Sequence, residues 1–115
     1  MRYVLFSMIL LSLAACGGRA PVSRGGPILL YAEGPMQQAC MASDRKARNK
    51  ALCGCIQAVA NGELTAGDRR IAARFWKDPQ RAQDMRQSDN PRHEDFWRRY
   101  SAYGQTVERT CRPAA

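Results

Sequence analysis

The sequence has one histidine, His93, among 115 residues, and no stretch in which apolar and polar residues alternate long enough to form a strand with a partner. The second absence argues against a sheet. The first leaves little for acid-base chemistry. Ser88 and Ser101 flank His93 without a nucleophile elbow or an oxyanion motif, and Glu94 and Asp95 are adjacent, not stacked on one helical face. No cysteine pair has the spacing of a zinc module, so a metal site made from three cysteines and His93 is not expected, nor is any cofactor. Long apolar runs are missing too. The main one, Val4 to Leu13, is shorter than the roughly 20 residues of a membrane-spanning helix. No repeat or low-complexity tract is present. These shortages point away from an enzyme and from a membrane-spanning protein.

Acidic residues are the next shortage. Asp and Glu number 10 against 18 Lys and Arg, giving a formal charge of +8. The length suits one small domain. Its start reads as an export signal: Met1-Arg2 is positive, Val4 to Leu13 is apolar, and Leu13-Ala14-Ala15 places small residues before Cys16. Leu13-Ala14-Ala15-Cys16 also resembles the lipobox of bacterial lipoproteins. In that family the cysteine thiol receives a diacylglyceryl group, the signal is cut just before the cysteine, and the new amino terminus is usually acylated. The resemblance implies cleavage of residues 1–15 and a lipid bilayer as partner through Cys16. An ordinary cleaved signal with an incidental Cys16 is the plainer alternative. Several acyl chains at about 0.8 kcal/mol per buried methylene would make a stable anchor. Gly17, rather than aspartate, resembles lipoproteins sent on to the outer membrane. Removing residues 1–15 deletes only Arg2 among the charges and lowers the net charge from +8 to +7, so the basic character belongs to the exported domain.

Residues 16–34 read as a flexible tether, with Gly17, Gly18, Gly25, Gly26, Gly34, Pro21 and Pro27 disfavouring regular structure. Within it, Pro27-Ile28-Leu29-Leu30-Tyr31 is apolar enough to lie back on the domain as a strap or to meet the lipid surface, the first being favoured. Residues 35–115 form the domain, expected to be an all-α bundle of about four helices. The first spans about Pro35 to Ala42. The second spans about Arg45 to Ala60, with Leu52, Cys55, Ile56 and Val59 on one face and Asn61-Gly62 as its stop. Thr65 caps the third, with Asp68 in the place of a capping-box Glu and Ile71, Ala72 and Phe75 inward. Asp78-Pro79 restarts that helix and carries Ala82 and Met85 to about Gln87. After the break at Ser88-Asp89-Asn90, the last helix spans about Pro91 to Arg112. Its stripe of Phe96, Tyr100, Tyr103, Val107 and Cys111 is the best helical signal in the chain.

Five cysteines leave four once Cys16 is lipidated: Cys40, Cys53, Cys55 and Cys111. In an oxidising compartment two disulfides are the economical reading. Cys53 and Cys55 point about 200° apart around a helix, so they should meet different partners. A hairpin turning near Asp44 to Lys46 sets Cys40 opposite Cys53, which favours Cys40–Cys53 with Cys55–Cys111. Cys40–Cys55 with Cys53–Cys111 is nearly as good. A core this small gains from the longer loop, worth about 3–4 kcal/mol in the chain-entropy model. The alternative use of Cys53-Gly54-Cys55 is thiol-disulfide exchange, although no thioredoxin-like strand and helix pattern surrounds it.

Arginine supplies 15 of the cations, and Arg69, Arg70, Arg74, Lys77, Arg81 and Arg86 crowd the third helix and its continuation. The bland reading is a solvated face. The functional one is an anion-binding surface of Arg69, Arg70, Arg74, Lys77 and Arg81 for envelope polymer, lipid or an envelope protein. Nucleic acid fits the charge but not an exported address. Trp76, Trp97, Tyr100 and Tyr103 either line a groove for such a ligand or belong to the core.

Cys40-Met41-Ala42-Ser43, Ala51-Leu52-Cys53-Gly54-Cys55-Ile56-Gln57-Ala58-Val59-Ala60, Asp78-Pro79-Gln80-Arg81-Ala82-Gln83-Asp84 and Ser88-Asp89-Asn90-Pro91 resemble short alphaproteobacterial lipoproteins of unknown function. Some of those carry the label "arginine transporter". The resemblance covers residues 35–111 and brings no catalytic or binding residues. A transporter needs several spanning segments, so the label implies at most an accessory or binding role near one. The expectation is therefore a non-enzymatic, lipid-anchored periplasmic lipoprotein, an adaptor or structural component of the envelope.

Overall fold

A computed structural model describes residues 30–114; the signal segment, Cys16 and the tether as far as residue 29 lie outside the described residues. Those described form five helices and no strand: α1 (Pro35–Ala42), α2 (Lys50–Glu63), α3 (Ala66–Lys77), α4 (Pro79–Arg86) and α5 (Pro91–Cys111), followed by a 3-10 turn, Arg112–Ala114. The domain is all-α and stapled by two disulfides. The expected four helices become five because the restart at Asp78-Pro79 is a true break. Asp78 has a non-helical backbone, and proline, lacking an N–H, begins a separate helix. The Asp78 side chain leaves the new helix uncapped and pairs with Arg81 instead.

Helix α2 departs from expectation at both ends. It begins at Lys50, not near Arg45, because Asn49 is its cap: Oδ1 accepts the Leu52 N–H at 2.8 Å, while Nδ2 donates to the Ala114 carbonyl at 3.0 Å. One side chain thus starts the helix and holds the carboxyl end of the chain. Arg45 is left in the connecting turn, its guanidinium 4.7 Å from the Trp76 ring centroid. Asn61-Gly62 does not stop the helix. Asn61 Oδ1 accepts from Gln57 Nε2 one turn back, and the chain stays helical to Glu63 before burying Leu64.

The other caps follow the sequence. Thr65 Oγ1 accepts the Asp68 N–H at 3.1 Å, and Asn90 Oδ1 accepts the Arg92 N–H at 2.9 Å. Asp68 does not complete a capping box. Its buried carboxylate instead accepts from Arg99 Nε at 2.7 Å and Nη2 at 3.1 Å, tying α3 to α5 and raising the Arg99 pKa chiefly through that hydrogen bond.

Helix α1 packs on α2 and α3, and α5 closes the other side of α2. Between them lies one core of Met36, Cys40, Cys53, Cys55, Ile56, Val59, Ala60, Leu64, Ala72, Tyr103 and Cys111. Leu52, Tyr100 and Val107 are half-buried against it. Phe75 meets Phe96 and Tyr100 edge-on, with centroids 5.8 and 5.3 Å apart, and seats α3 on α5. Each buried phenylalanine contributes roughly 1.5–3 kcal/mol by leaving water. Ile71, Ala82 and Met85 are half-buried, and α4 buries no residue fully.

Candidate anion-binding face

The cysteines decide which face α2 turns to each neighbour. Cys40 on α1 is bonded to Cys53, and Cys55 to Cys111 at the end of α5, so the two sulfurs of the Cys53-Gly54-Cys55 stretch leave α2 in different directions. This is the first of the two pairings. All four residues are buried, and among the described residues no group of His, Cys, Asp and Glu is arranged to hold a metal. Gly54, between the bonds, lies under the Tyr31 ring, and its carbonyl accepts the Ala32 N–H at 3.0 Å. The end of the tether therefore lies back along α2, as a strap would. Pro27, Ile28 and Leu29 of that run lie outside the described residues.

With α2 held on both sides, α1 settles against α3 and a shallow furrow of about 310 Å³ remains between them. Pro35, Gln38, Ala39 and Ala42 form one wall, and Ala73, Arg74 and Lys77 the other. At the start of α1 the surface continues past Glu33, Gly34, Asn61, Arg69 and Arg70. Arg70, Arg74 and Lys77 are exposed, and their spacing of four and three residues places them on one stripe of α3. None of the three makes an ion pair among the described residues.

The other two expected members are engaged elsewhere. Arg69 Nη1 donates to the Leu64 carbonyl at 2.6 Å, closing the turn between α2 and α3. Arg81 Nε meets Asp78 Oδ2 at 3.2 Å, an exposed pair of small energetic weight. The structure thus brings Arg70, Arg74 and Lys77 together and gives Arg69 and Arg81 partners within the chain.

The aromatic residues do not line a common groove. Trp76 borders a hollow with Ala39, Ala42, Ser43, Asp44, Lys77 and Pro79, whereas Trp97 borders another with Arg86, Glu94 and Arg98. Tyr103 is buried and donates its hydroxyl to the Ile56 carbonyl at 3.0 Å; Tyr100 stacks on Phe96. Both tyrosines serve the core. His93 Nδ1 lies 2.7 Å from Ser88 Oγ at the entrance to α5, where Ser88 Oγ also accepts the Asn90 N–H at 3.2 Å. That cluster shapes a helix start.

Sequence reasoning missed Gln57. It is 2% exposed, and its Oε1 accepts the N–H groups of Met36 at 2.8 Å and Gln37 at 3.1 Å. The side chain of α2 therefore caps α1, whose own N-cap residue, Gly34, has no side chain to do so. A buried glutamine beside Ile56 was the available signal, but its partner twenty residues away was not. Comparison with protein-family models, curated proteins and solved structures gave no match.

Proposed function

We propose that the protein is a non-enzymatic, lipid-anchored lipoprotein facing the periplasm, acting as an adaptor or structural component of the envelope through the basic face of α3. The observation that carries this reading is the exposed stripe of Arg70, Arg74 and Lys77 with no ion pair among the described residues. Exposed cations that form no ion pair and follow one stripe of a helix keep their field available to an anionic partner. The disulfides support the same role by making a small domain rigid, and the lipobox-like Leu13-Ala14-Ala15-Cys16 supplies the anchor. Thiol-disulfide exchange through Cys53 and Cys55 has less support, since each sulfur is bonded to a different buried partner.

The test is the intact mass of the protein from native membranes, before and after reduction and alkylation. A start at Cys16 carrying acyl mass, with four further thiols appearing only on reduction, is the expected result. An unlipidated product removes the anchor, and thiols free without reduction return the weight to exchange chemistry.

A further inference from the structure

The large hydrophobic side chains that are exposed among the described residues are Leu30, Tyr31 and Met41, at 44%, 45% and 38%. All three belong to the strap or to α1, the part of the domain nearest the tether in the chain. Arg70, Arg74 and Lys77 stand on the neighbouring helix, α3. Arg70 shares a stretch of surface with Glu33, Gly34 and Pro35, where the strap enters α1, and Pro35 also lines the furrow edged by Arg74 and Lys77. The furrow floor is alanine: Ala39 and Ala42 from α1, Ala73 from α3. Tyr31 donates to Glu33, which shares its stretch of surface with Arg70, so the exposed apolar side chains of the strap reach the edge of the cation row. This is the composition of an interfacial surface, with one part meeting acyl carbon and the other phosphate. A polyanion of the cell wall would use the cations and leave the apolar part without a role. Glu33 stands at the Arg69 and Arg70 end of this surface and Asp44 borders the hollow beside Lys77, so the phosphate seat belongs at Arg74, between the two acids.

We infer that the strap and the α1–α3 face dock on the surface of an anionic phospholipid bilayer, with Arg70, Arg74 and Lys77 on headgroup phosphates and Leu30 and Tyr31 of the strap against the acyl boundary. The inference deepens the role proposed above and rests on its basic face, not on lipidation. The length of chain permits this. Residues 16–29 have a contour length of at most about 50 Å, so a domain anchored at Cys16 stays within reach of its own membrane.

The experiment uses the oxidised full-length Cys16→Ser protein, which has no lipidation site, and vesicles of phosphatidylcholine with or without phosphatidylglycerol. The apolar segment before residue 16, where retained, is common to every variant. Binding is expected on the anionic vesicles, weakening about fivefold for each cation removed and by the order of 100-fold in Arg70→Gln/Arg74→Gln/Lys77→Gln. The matched variant Arg86→Gln/Arg92→Gln/Arg109→Gln, which lowers the net charge equally on α4 and α5, should retain most of the affinity. Circular dichroism and intact disulfides check the fold of both. Equal binding to the two vesicle types, or equal loss in the two variants, overturns the inference. Stripe-dependent sedimentation with peptidoglycan sacculi and none with vesicles also overturns it, while leaving the basic-face role standing. Absence of binding in both assays removes the two together.

Discussion

The ring of Tyr31 lies on the backbone of Gly54, in the space where any other residue at 54 would carry its β-carbon. A β-carbon built there falls 2.0 Å from Tyr31 Cδ2 and 2.1 Å from Cε2. Glycine in a helix interior ordinarily costs about 1 kcal/mol relative to alanine, so its presence between two disulfide-bonded cysteines needs a compensating contact. The strap supplies one. Its approach is close enough for Ala32 to hydrogen-bond the Gly54 carbonyl, and it covers the outer side of α2 between the bonds that hold α1 and α5.

Gly54→Ala should therefore eject the strap while leaving the helices intact. The ring itself, not a flexible tip, meets the new methyl, so Tyr31 must move away. The readout is the exchange rate of the Ala32 amide, expected to rise toward that of an unprotected chain. Circular dichroism should be unchanged or slightly more helical. A protected Ala32 amide in this variant would show that the strap is held by other contacts.

The two disulfides should differ in what they contribute. Cys40–Cys53 closes a separation of 13 residues and Cys55–Cys111 one of 56. In the chain-entropy model the first restricts the unfolded chain by about 3 kcal/mol and the second by about 4. Replacing Cys55 and Cys111 together with serine should thus lower denaturant stability more than replacing Cys40 and Cys53. The longer bond also joins the two ends of the core, so its removal should expose the Leu52 and Val107 face. Equal losses would show that loop length does not set the contribution of these bonds.

Alkaline pH should destabilise the fold through Tyr103. Burial is the main cause that raises its phenol well above the ordinary value of 10.0, with nearby Tyr100 and Glu63 adding to it, and the hydroxyl donates to the Ile56 carbonyl. A group with a raised folded pKa contributes its full stability below the unfolded value. That contribution is lost as pH rises from about 10 toward the folded pKa, because the unfolded chain releases the proton first. Denaturation midpoints at pH 8 and pH 11 should show the fall. Tyr103→Phe should cost about 1 kcal/mol at pH 8 through the lost hydrogen bond and make the alkaline fall shallower; an unchanged slope would assign it to other groups.

Helix ends were readable where a cap and its target lie within a few residues. Thr65, Asn90 and Pro79 each act locally, and the structure keeps all three boundaries. The direction of the disulfides was partly readable for the same reason, since 53 and 55 diverge on any helix. Asn49 is the exception: its target, Leu52, is just as local, but Arg45 to Arg48 are as compatible with a helix as with a turn, and the second bond of its side chain, to the Ala114 carbonyl, is distant in the chain. The basic residues showed the same limit. The sequence grouped Arg69, Arg70, Arg74, Lys77 and Arg81 as one surface, and gave no sign of the Leu64 carbonyl that takes Arg69 or of the side-chain choice of Asp78 that engages Arg81. Contacts between segments, not local propensity, separated the free cations from the occupied ones.

Gln57 gives the sharpest test of such a long-range contact. Its Oε1 holds the first amides of α1, and Met36, whose N–H it accepts, is 1% exposed. Neither Gly34, which has no side chain, nor Pro35, whose ring carries no acceptor, can replace it. A β-carbon at residue 34 would also meet the Gln57 amide at 2.7 Å, so the capping side chain fills the place a conventional cap would occupy. Gln57→Ala should leave a buried donor unsatisfied, at a cost of about 1–3 kcal/mol, and fray α1 from its amino end. Gln57→Leu should fare no better, because it keeps the volume but not the acceptor. Gln57→Glu keeps an acceptor next to the positive end of the helix but loses the bond to Asn61, and should retain more stability than either. Thermal denaturation of the three variants, with exchange of the Met36 and Gln37 amides, checks the order. If leucine proved as stable as glutamine, packing alone would hold α1 in place, and the furrow beside Arg74 and Lys77 would owe its shape to the Cys40–Cys53 bond instead.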